Sequence, residues 1–573
     1  MKLVSLLAIG MMAAAAIAGT EEKVDPRVRT YISPSRVVWQ SENSEKASVS
    51  NSEILCRPRL GQVPEGAFLN GSGCTLENKG ERAGVLVDFG RELHGGLLIA
   101  SGGPSSRGVK VRVRFGESVA EAMSELGERG ACNDHAIRDS EIDLPWAGTR
   151  EIGNTGFRFV RIDLLTKGRL QIEYLKAVSL MRPMQYLGGF KCSDDRLNEV
   201  WATAARTVHL CCQDYLWDGI KRDRLVWMGD SHPEMMSILA VFGAQSILPE
   251  SFDYMRATTS PNAWMDSMPS YTLWWLRCVY EWYHYTGDLD YLKKHREYIK
   301  ATCKHVLQHI GADNKCTMGG FLDWPSNHNK PAVASGMQAL MLEAMVCSSK
   351  MAEALNDAEF KKECDNAVSR LASVKPAPHG SKQAAALLAL AGLRDEREMY
   401  DQVLGKDGVK NVSTFYGYYM LEAMSKVGEN QCAVNTVRDY WGGMLDMGAT
   451  SFWEDFNIAW TNNAFRIDQL PVAGKKDIHG DYGEFCYVGF RHSLCHGWSS
   501  GPAAWLIHHV LGITAVETGC KTVRVKPFLG DLEWAEGSFP LPTGEVVKVR
   551  VDKTPDGQLK TDVKAPDWVK IIR

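Results

Sequence analysis

Thirteen residues, Asp218-Gly219-Ile220-Lys221-Arg222-Asp223-Arg224-Leu225-Val226-Trp227-Met228-Gly229-Asp230, hold three carboxylates, three cations and a tryptophan. Neither a helical nor a strand period fits them, because the charges fall on every face. Gly219 and Gly229 punctuate the stretch, which therefore reads as a loop between two helices. A loop with this many charges is either a solvated turn or a site. Leu225, Val226 and Trp227 are too apolar for a wet tip, and aromatic-rich segments follow at Trp264 and Trp274-Trp275. Carboxylates beside cations and a tryptophan suit sugar chemistry, in which one acid protonates a leaving oxygen and others hold hydroxyls.

Two further stretches carry chemistry. Gly448-Ala449-Thr450-Ser451-Phe452-Trp453-Glu454-Asp455-Phe456 sets a carboxylate pair among aromatics. A carboxylate directly after Trp453 is costly to bury unless it is paired or functional, although an acid opening a surface helix has the same look. In His492-Ser493-Leu494-Cys495-His496-Gly497-Trp498-Ser499-Ser500-Gly501-Pro502, two histidines four apart suggest a metal. The glycines and Pro502 break the helix that would align them. His496 then reads as a partner for a substrate hydroxyl, and neither a metal nor a cofactor is expected. Asp323-Trp324-Pro325 is a smaller echo of the acid–aromatic theme.

The elements that position these stretches must come from the rest of the 573 residues, enough for two to four domains and a large core. A net charge of −4 and a pI near 6.5 give no electrostatic case for nucleic acid or an anionic membrane. Met1-Lys2-Leu3 followed by an apolar run to Ala18 reads as a signal peptide over residues 1–18, implying a periplasmic or secreted protein with no membrane insertion once it is removed. No cysteine stands near the cleavage region, which argues against a lipid anchor there. Fifteen scattered cysteines do not read as a disulfide framework, and no paired CxxC suggests structural zinc.

From about residue 26 to 185 the texture is β: Val85–Gly90, Leu97–Ala100, Val109–Phe115 and Phe157–Ile162 are short runs, several of them alternating, which points to an antiparallel sandwich. At about 193 the period changes. Asp194-Asp195 reads as a helix start, and helical segments follow: Leu197–Leu210, His232–Gln245, Pro269–Tyr285, Leu289–Ile310, Gly336–Leu355, Glu359–Leu371, Lys382–Leu393 and Phe415–Val427. Thr286-Gly287-Asp288 reads as a sharp stop and restart, so helices pair as hairpins, and a closed toroid of hairpins fits their number. After Gly512 alternation returns at Thr522–Pro527 and Val546–Val551, with the basic side chains on a solvated face. About sixty residues is small for an independent sandwich, so this module leans on its neighbour.

Taken in order, the three chemical stretches resemble those of the α-L-rhamnosidases of glycoside hydrolase family 78. Val87-Asp88-Phe89-Gly90-Arg91-Glu92-Leu93 and Leu529-Gly530-Asp531-Leu532-Glu533-Trp534-Ala535 support the resemblance, which covers nearly the whole chain after the signal peptide. It implies a multidomain α and β protein: an N-terminal antiparallel β-sandwich over residues 19–188, a central (α/α)6 six-hairpin barrel over 189–512 and a C-terminal β-sandwich over 513–573. It further implies an inverting hydrolase acting on an oligosaccharide or glycoside. Asp223 falls at the general acid's place and Glu454 at the general base's. Asp218, Trp227, Asp230 and His496 fall where sugar contacts sit, and Arg222, Trp264, Asp323, Trp324, Trp453 and Trp498 complete the expected binding set. One departure stands out. The family commonly shows Arg-Asp-Glu-Arg where this chain has Arg222-Asp223-Arg224, one carboxylate fewer. The rivals are a polysaccharide lyase or a glycosidase of another sugar on the same toroid, and an inactive carbohydrate-binding protein. If the two carboxyls act as an inverting pair, they should face each other across one pocket roughly 6.5–9.5 Å apart.

Overall fold

The computed structural model describes residues 24–58, 73–103, 105–485 and 488–573, so the signal peptide read over residues 1–18 lies outside the described residues. Nine strands from Val28–Ile32 to Gly168–Met181 form one antiparallel sheet with its own apolar core. Alternation sets its faces: Val109, Val111, Val113 and Phe115 of the strand Val109–Gly116 all point into that core. The runs Val85–Gly90 and Leu97–Ala100, which read as separate strands, belong to a single strand, Ala83–Gly102. Its register shifts at Asp88/Leu93 and again at Gly95/Leu97. Its first half pairs with Arg36–Gln40 and its second half with Gly168–Met181, while Gly148–Leu164 runs beside both. Bulges let one strand bend and serve two sets of neighbours, and the glycines that look like breaks in the sequence are where it bends.

The helical region starts where the sequence says. Asp194 caps the helix Asp195–Cys211, its carboxylate accepting from Arg196 N–H at 2.9 Å. Gly287, at φ 74°, ends the helix Pro269–Thr286, and Asp288 caps Leu289–Leu307 by accepting from Tyr291 N–H at 2.9 Å. The helices Lys330–Ala354 and Ala358–Ala372 repeat this hairpin pattern. Lys330–Ala354 is long and apolar enough to cross a membrane by composition, and most of it is buried inside the protein. The expected helix His232–Gln245 is Ser231–Val241. Among the helical stretches that escape the periodic reading are Ile247–Thr258, the run from Asn430 to Asp446, Pro502–Val510 and the run from Glu396 to Leu404. The second contains Gly442-Gly443, where Gly442 makes room for the Arg196 guanidinium and Gly443 for Ile458.

The C-terminal strands make two small sheets. Trp534–Pro540, Val546–Lys553 and Leu559–Lys564 form an antiparallel sheet, joined at its edge by Gly189–Cys192, a segment that precedes the first helix. Ile513–Ala515, Thr522–Val525 and Lys570–Ile572 form the other. Val547, Val549 and Val551 point inward and share one continuous core with the helices, whereas Lys548 and Arg550 point to solvent. The module therefore leans on its neighbour through apolar contact.

Candidate active site

The acid loop leaves the helix Asp195–Cys211 and enters Ser231–Val241. It closes on itself through Asp218 N–H to Leu225 O at 3.0 Å and Leu225 N–H to Asp218 Oδ1 at 2.9 Å. Backbone bonds tie it to the other two stretches. Gly497 N–H donates to Asp218 O at 2.7 Å, and Gly219 forms an antiparallel bridge with His496. His496 N–H donates to Phe452 O at 2.9 Å, and Glu454 N–H to Ser493 O at 3.0 Å. Segments far apart in sequence are thus fixed by main-chain geometry, which holds side chains more rigidly than a loop alone could. Gly229 is required here, because a Cβ at that position would run into the Tyr271 ring.

These stretches enclose a cavity of about 240 Å³ lined by Asp218, Asp223, Trp227, Asp230, Met268, Tyr271, Phe321, Trp324, Glu454, His496 and Trp498. Arg222 Nη2 lies 3.1 Å from Glu454 Oε1 and 3.5 Å from Asp223 Oδ1, so those two oxygens are at most the sum of the distances, about 6.6 Å, apart. Glu454 Oε2 accepts from Ser493 N–H at 3.2 Å. His496 Nε2 lies 3.7 Å from Asp218, 3.8 Å from Asp230 and 3.9 Å from Glu454. Tyr271 O–H donates to Asp230 Oδ1 at 3.0 Å. Trp498 stacks on Phe415 with the rings 4.9 Å apart, and its indole N–H donates to Glu454 O at 2.9 Å. A larger hollow, about 490 Å³, opens on the C-terminal sheet beside Lys548, Asp562 and Lys564. Phe190 is its one aromatic, set among lysines, an arginine and two acids, whereas the smaller cavity sets three tryptophans against four carboxylates and is the site the chemistry selects.

Burial dominates the electrostatics. Burial, then the Asp230 and Asp223 carboxylates, hold Asp218 well above the usual carboxylate range. Burial does the same to Asp230, against the Tyr271 hydrogen bond. Burial raises Glu454, with the Arg222 guanidinium working against it. Burial, then Arg222, hold His496 well below the ordinary imidazole value, so it is neutral at pH 7. Near neutral pH the cavity holds carboxyls that accept or donate hydrogen bonds and a neutral imidazole, a set that matches sugar hydroxyls.

The structure brings Asp218, Asp223, Trp227, Asp230, Trp324, Glu454, His496 and Trp498 to one cavity, with Arg222 behind them as the Glu454 partner. It does not bring Trp264, Asp323 or Trp453 there. Trp264 packs on His305 and His309, with ring centres 4.2 and 5.2 Å away. Asp323 is buried and accepts from Ser413 Oγ. Trp453 is fully buried against Phe456. Asp323 and Trp453 are parts of acid–aromatic pairs in sequence whose side chains the backbone turns into the core, whereas Trp264 is half-buried. Leu225, which argued for a buried loop, is 54% exposed, while Val226 is buried. Tyr271, Met268 and Phe321 were missed. Tyr271 lies in an aromatic helix that reads as core, and only its phenol oxygen sets it apart.

Among the described residues one trio, Glu117, Glu121 and His479, could gather a metal ion. Lys221 Nζ stands among these groups, 3.1 Å from Glu117 and 3.3 Å from Glu121, and donates to His492 O at 2.6 Å and Phe490 O at 2.8 Å. The cation of this cluster is the ammonium, and it ties the acid loop to the N-terminal sheet region. Lys221→Met should destabilise the protein by ~3–5 kcal/mol, since it leaves the buried Glu117 without its counter-charge and Glu121 with only the more distant Arg138. A urea unfolding free energy within about half a kcal/mol of wild type would show the pair to be dispensable.

Asp455, beside the base candidate, is pushed up to about 7 by burial, then by Asp323 and Glu454. A carboxyl whose folded pKa is raised holds its proton more tightly in the fold. It favours folding below the unfolded pKa, near 4, and that contribution is lost as pH climbs toward 7. Asp455→Asn should therefore raise Tm at pH 8 by several degrees, with little effect at pH 4. Equal shifts at both pH values would remove Asp455 as the source.

Helical hairpins, antiparallel sheets and a carboxylate–aromatic cavity define the six-hairpin glycosidase class. Residues 185–510 match the bacterial α-L-rhamnosidase six-hairpin glycosidase domain, and the chain belongs to that family. Three solved structures share the fold. The rhamnosidase of Bacillus sp. GL1, of glycoside hydrolase family 78, has a TM-score of 0.69 and 23% identity over 86% of this chain and 53% of its own. The α-L-rhamnosidase of Dictyoglomus thermophilum has a TM-score of 0.69 and 18% identity over 85% of this chain and 56% of its own. The rhamnosidase of Klebsiella oxytoca, with rhamnose bound, has a TM-score of 0.64 and 17% identity over 84% of this chain and 95% of its own. This chain spans about half the length of the first two. No curated protein matches it by sequence.

Proposed function

We propose that the protein is an exported α-L-rhamnosidase that hydrolyses terminal α-L-rhamnose from glycans or glycosides, on an (α/α)6 barrel (residues 189–512) flanked by β-sandwiches (19–188 and 513–573). Asp223 is the general acid and Glu454 the general base. Asp218, Asp230 and His496 hold hydroxyls, and Trp227, Trp324 and Trp498 offer apolar faces to the sugar ring. One observation carries this reading: the Asp223 and Glu454 carboxyls, from separate acid–aromatic stretches, meet in one cavity on either side of Arg222. The rhamnose in the Klebsiella oxytoca structure supports the sugar assigned. A lyase would want an arginine-rich groove for a uronate, and the only guanidinium at this cavity among the described residues is the one paired with Glu454. A panel of aryl glycosides with rhamnose, mannose, fucose and arabinose heads tests the assignment. Rhamnoside hydrolysis is expected. An unsaturated, ultraviolet-absorbing product from a uronate polymer, or sugar binding with no turnover, would replace it.

An inverting pair needs roughly 6.5–9.5 Å for a water, a retaining pair about 5–5.5 Å. The bound of about 6.6 Å set by Arg222 is an upper limit for one pair of oxygens and leaves room for a second reading, in which Glu454 is the nucleophile of a retaining mechanism. The family resemblance keeps inversion first. Proton NMR of the first-formed sugar decides: the β-anomer from an α-glycoside supports inversion, and the α-anomer supports retention.

A further inference from the structure

We propose that the N-terminal sheet region completes the site by clamping the Asp223–Arg224 turn, and that His135 is a positioning residue for Asp223. The proposal deepens the reading of Asp223 as the acid and rests on it.

The turn is strained. Asp223 and Arg224 have φ of 49° and 57°, two consecutive non-glycine residues in the left-handed region. Each such residue costs about 1–2 kcal/mol and persists only where its surroundings over-determine it. Part of the restraint is local: Arg224 N–H donates to Arg222 O at 2.8 Å. The rest comes from residues about seventy to ninety positions upstream. Asp223 N–H donates to His135 Nδ1 at 3.1 Å. The Arg224 guanidinium donates to Asn154 O at 2.8 Å and to His135 O at 2.9 Å. It also lies over the Trp217 ring, 5.6 Å from its centre. Gly156, two residues past Asn154, lets its strand pass so close to Ile220 and Lys221 that a Cβ would clash.

His135 is itself held. Nε2 lies 3.2 Å from Arg491 Nη2 and 3.5 Å from Asp134 Oδ2, and that carboxylate pairs with Arg491 at 2.8 Å. His135 Nδ1 is also 3.3 Å from Asp223 Oδ1, at the cavity's edge. The chain Arg491–Asp134–His135 thus sets where the Asp223 carboxyl points. A displacement of about 1 Å in a reacting group can lower the rate on the order of a hundredfold.

The test compares His135→Ala, His135→Asn and Asp223→Asn in the full chain, on an activated aryl rhamnoside and on one with a poor leaving group. His135→Ala should lower kcat on the poor leaving group by about 10- to 100-fold, with a smaller loss on the activated one and KM within about threefold. His135→Asn should recover most of that loss, because its Oδ1 falls where Nδ1 was and accepts the same amide. A role in folding alone would lower Tm and reduce both substrates equally. Wild-type kcat in His135→Ala, or no recovery in His135→Asn, overturns the proposal. The crystal structure of His135→Ala keeps the clamp separate from the acid assignment. Asp223 should leave its left-handed conformation there, and an unchanged turn rejects the clamp whatever Asp223 does. If Asp223→Asn shows no dependence on the leaving group, the acid assignment fails, and the clamp is judged on that structure.

Discussion

Glu454→Gln should turn over at least about a hundredfold more slowly than wild type, within the ~10²–10⁴ range typical of a lost general base. The amide fills the same space but cannot take a proton from water. It also cannot satisfy both neighbours. Glu454 accepts from Arg222 at 3.1 Å through one oxygen and from Ser493 N–H at 3.2 Å through the other. An amide NH₂ facing either one sets donor against donor, so one bond of about 1 kcal/mol is lost. Losing a charge buried near Asp218, Asp223 and Asp230 offsets part of that, and Tm should move little. Substrate binding should persist, since Trp227, Trp324 and Trp498 are untouched, and KM should change less than kcat. The wild-type pH profile carries a related signature. Burial raises Glu454 above the usual carboxylate range, so the acid limb of kcat/KM should fall at a higher pH than a free glutamate would give. Arg222→Gln should move that limb higher still. Near-normal turnover in Glu454→Gln would shift the base to Asp455, whose backbone N–H is held by His492 Nε2 at 2.8 Å.

How much of this was legible in the sequence depended on whether the signal was local. Asp194, Gly287 and Asp288 announce helix ends because capping needs only near neighbours. The alternation of Val109–Phe115 announces a half-buried strand for the same reason. The strand Ala83–Gly102 was legible only in pieces, since bulges look like breaks until the partner strands are known. At the site, acid next to aromatic led to the cavity for Glu454 and Trp324 and away from it for Asp323 and Trp453. Adjacent side chains leave the backbone in different directions, and only the fold decides which reaches the cavity. Tyr271 and His135 were invisible for the opposite reason. Each is an ordinary residue in its own segment and meets the acid loop only through tertiary contact, Tyr271 at Asp230 and His135 at Asp223.

Asp223→Asn should separate substrates by their leaving groups. If Asp223 protonates the departing oxygen, a glycoside with a poor leaving group loses most of its rate in the variant. An activated aryl rhamnoside, whose phenolate departs with little help, keeps far more, and the gap between the two substrates should reach on the order of 10²–10⁴-fold. Asp218→Asn and Asp230→Asn should instead weaken both substrates about equally, because a lost hydroxyl contact does not depend on the leaving group. The structure gives the three carboxylates different surroundings. Asp218 is spent on the loop, accepting from Leu225 N–H, and Asp230 on Tyr271. Asp223 lies at the edge of the cavity, between Arg222 and His135, on a turn with a left-handed backbone. Strain kept at such a place fits an acid that must be held in one direction. This loop has one residue fewer than the Arg-Asp-Glu-Arg pattern, and a strained turn is one way for a shorter side chain to reach the same oxygen. Leaving-group dependence in Asp230→Asn, and none in Asp223→Asn, would show instead that the shortened loop moved the acid along the chain.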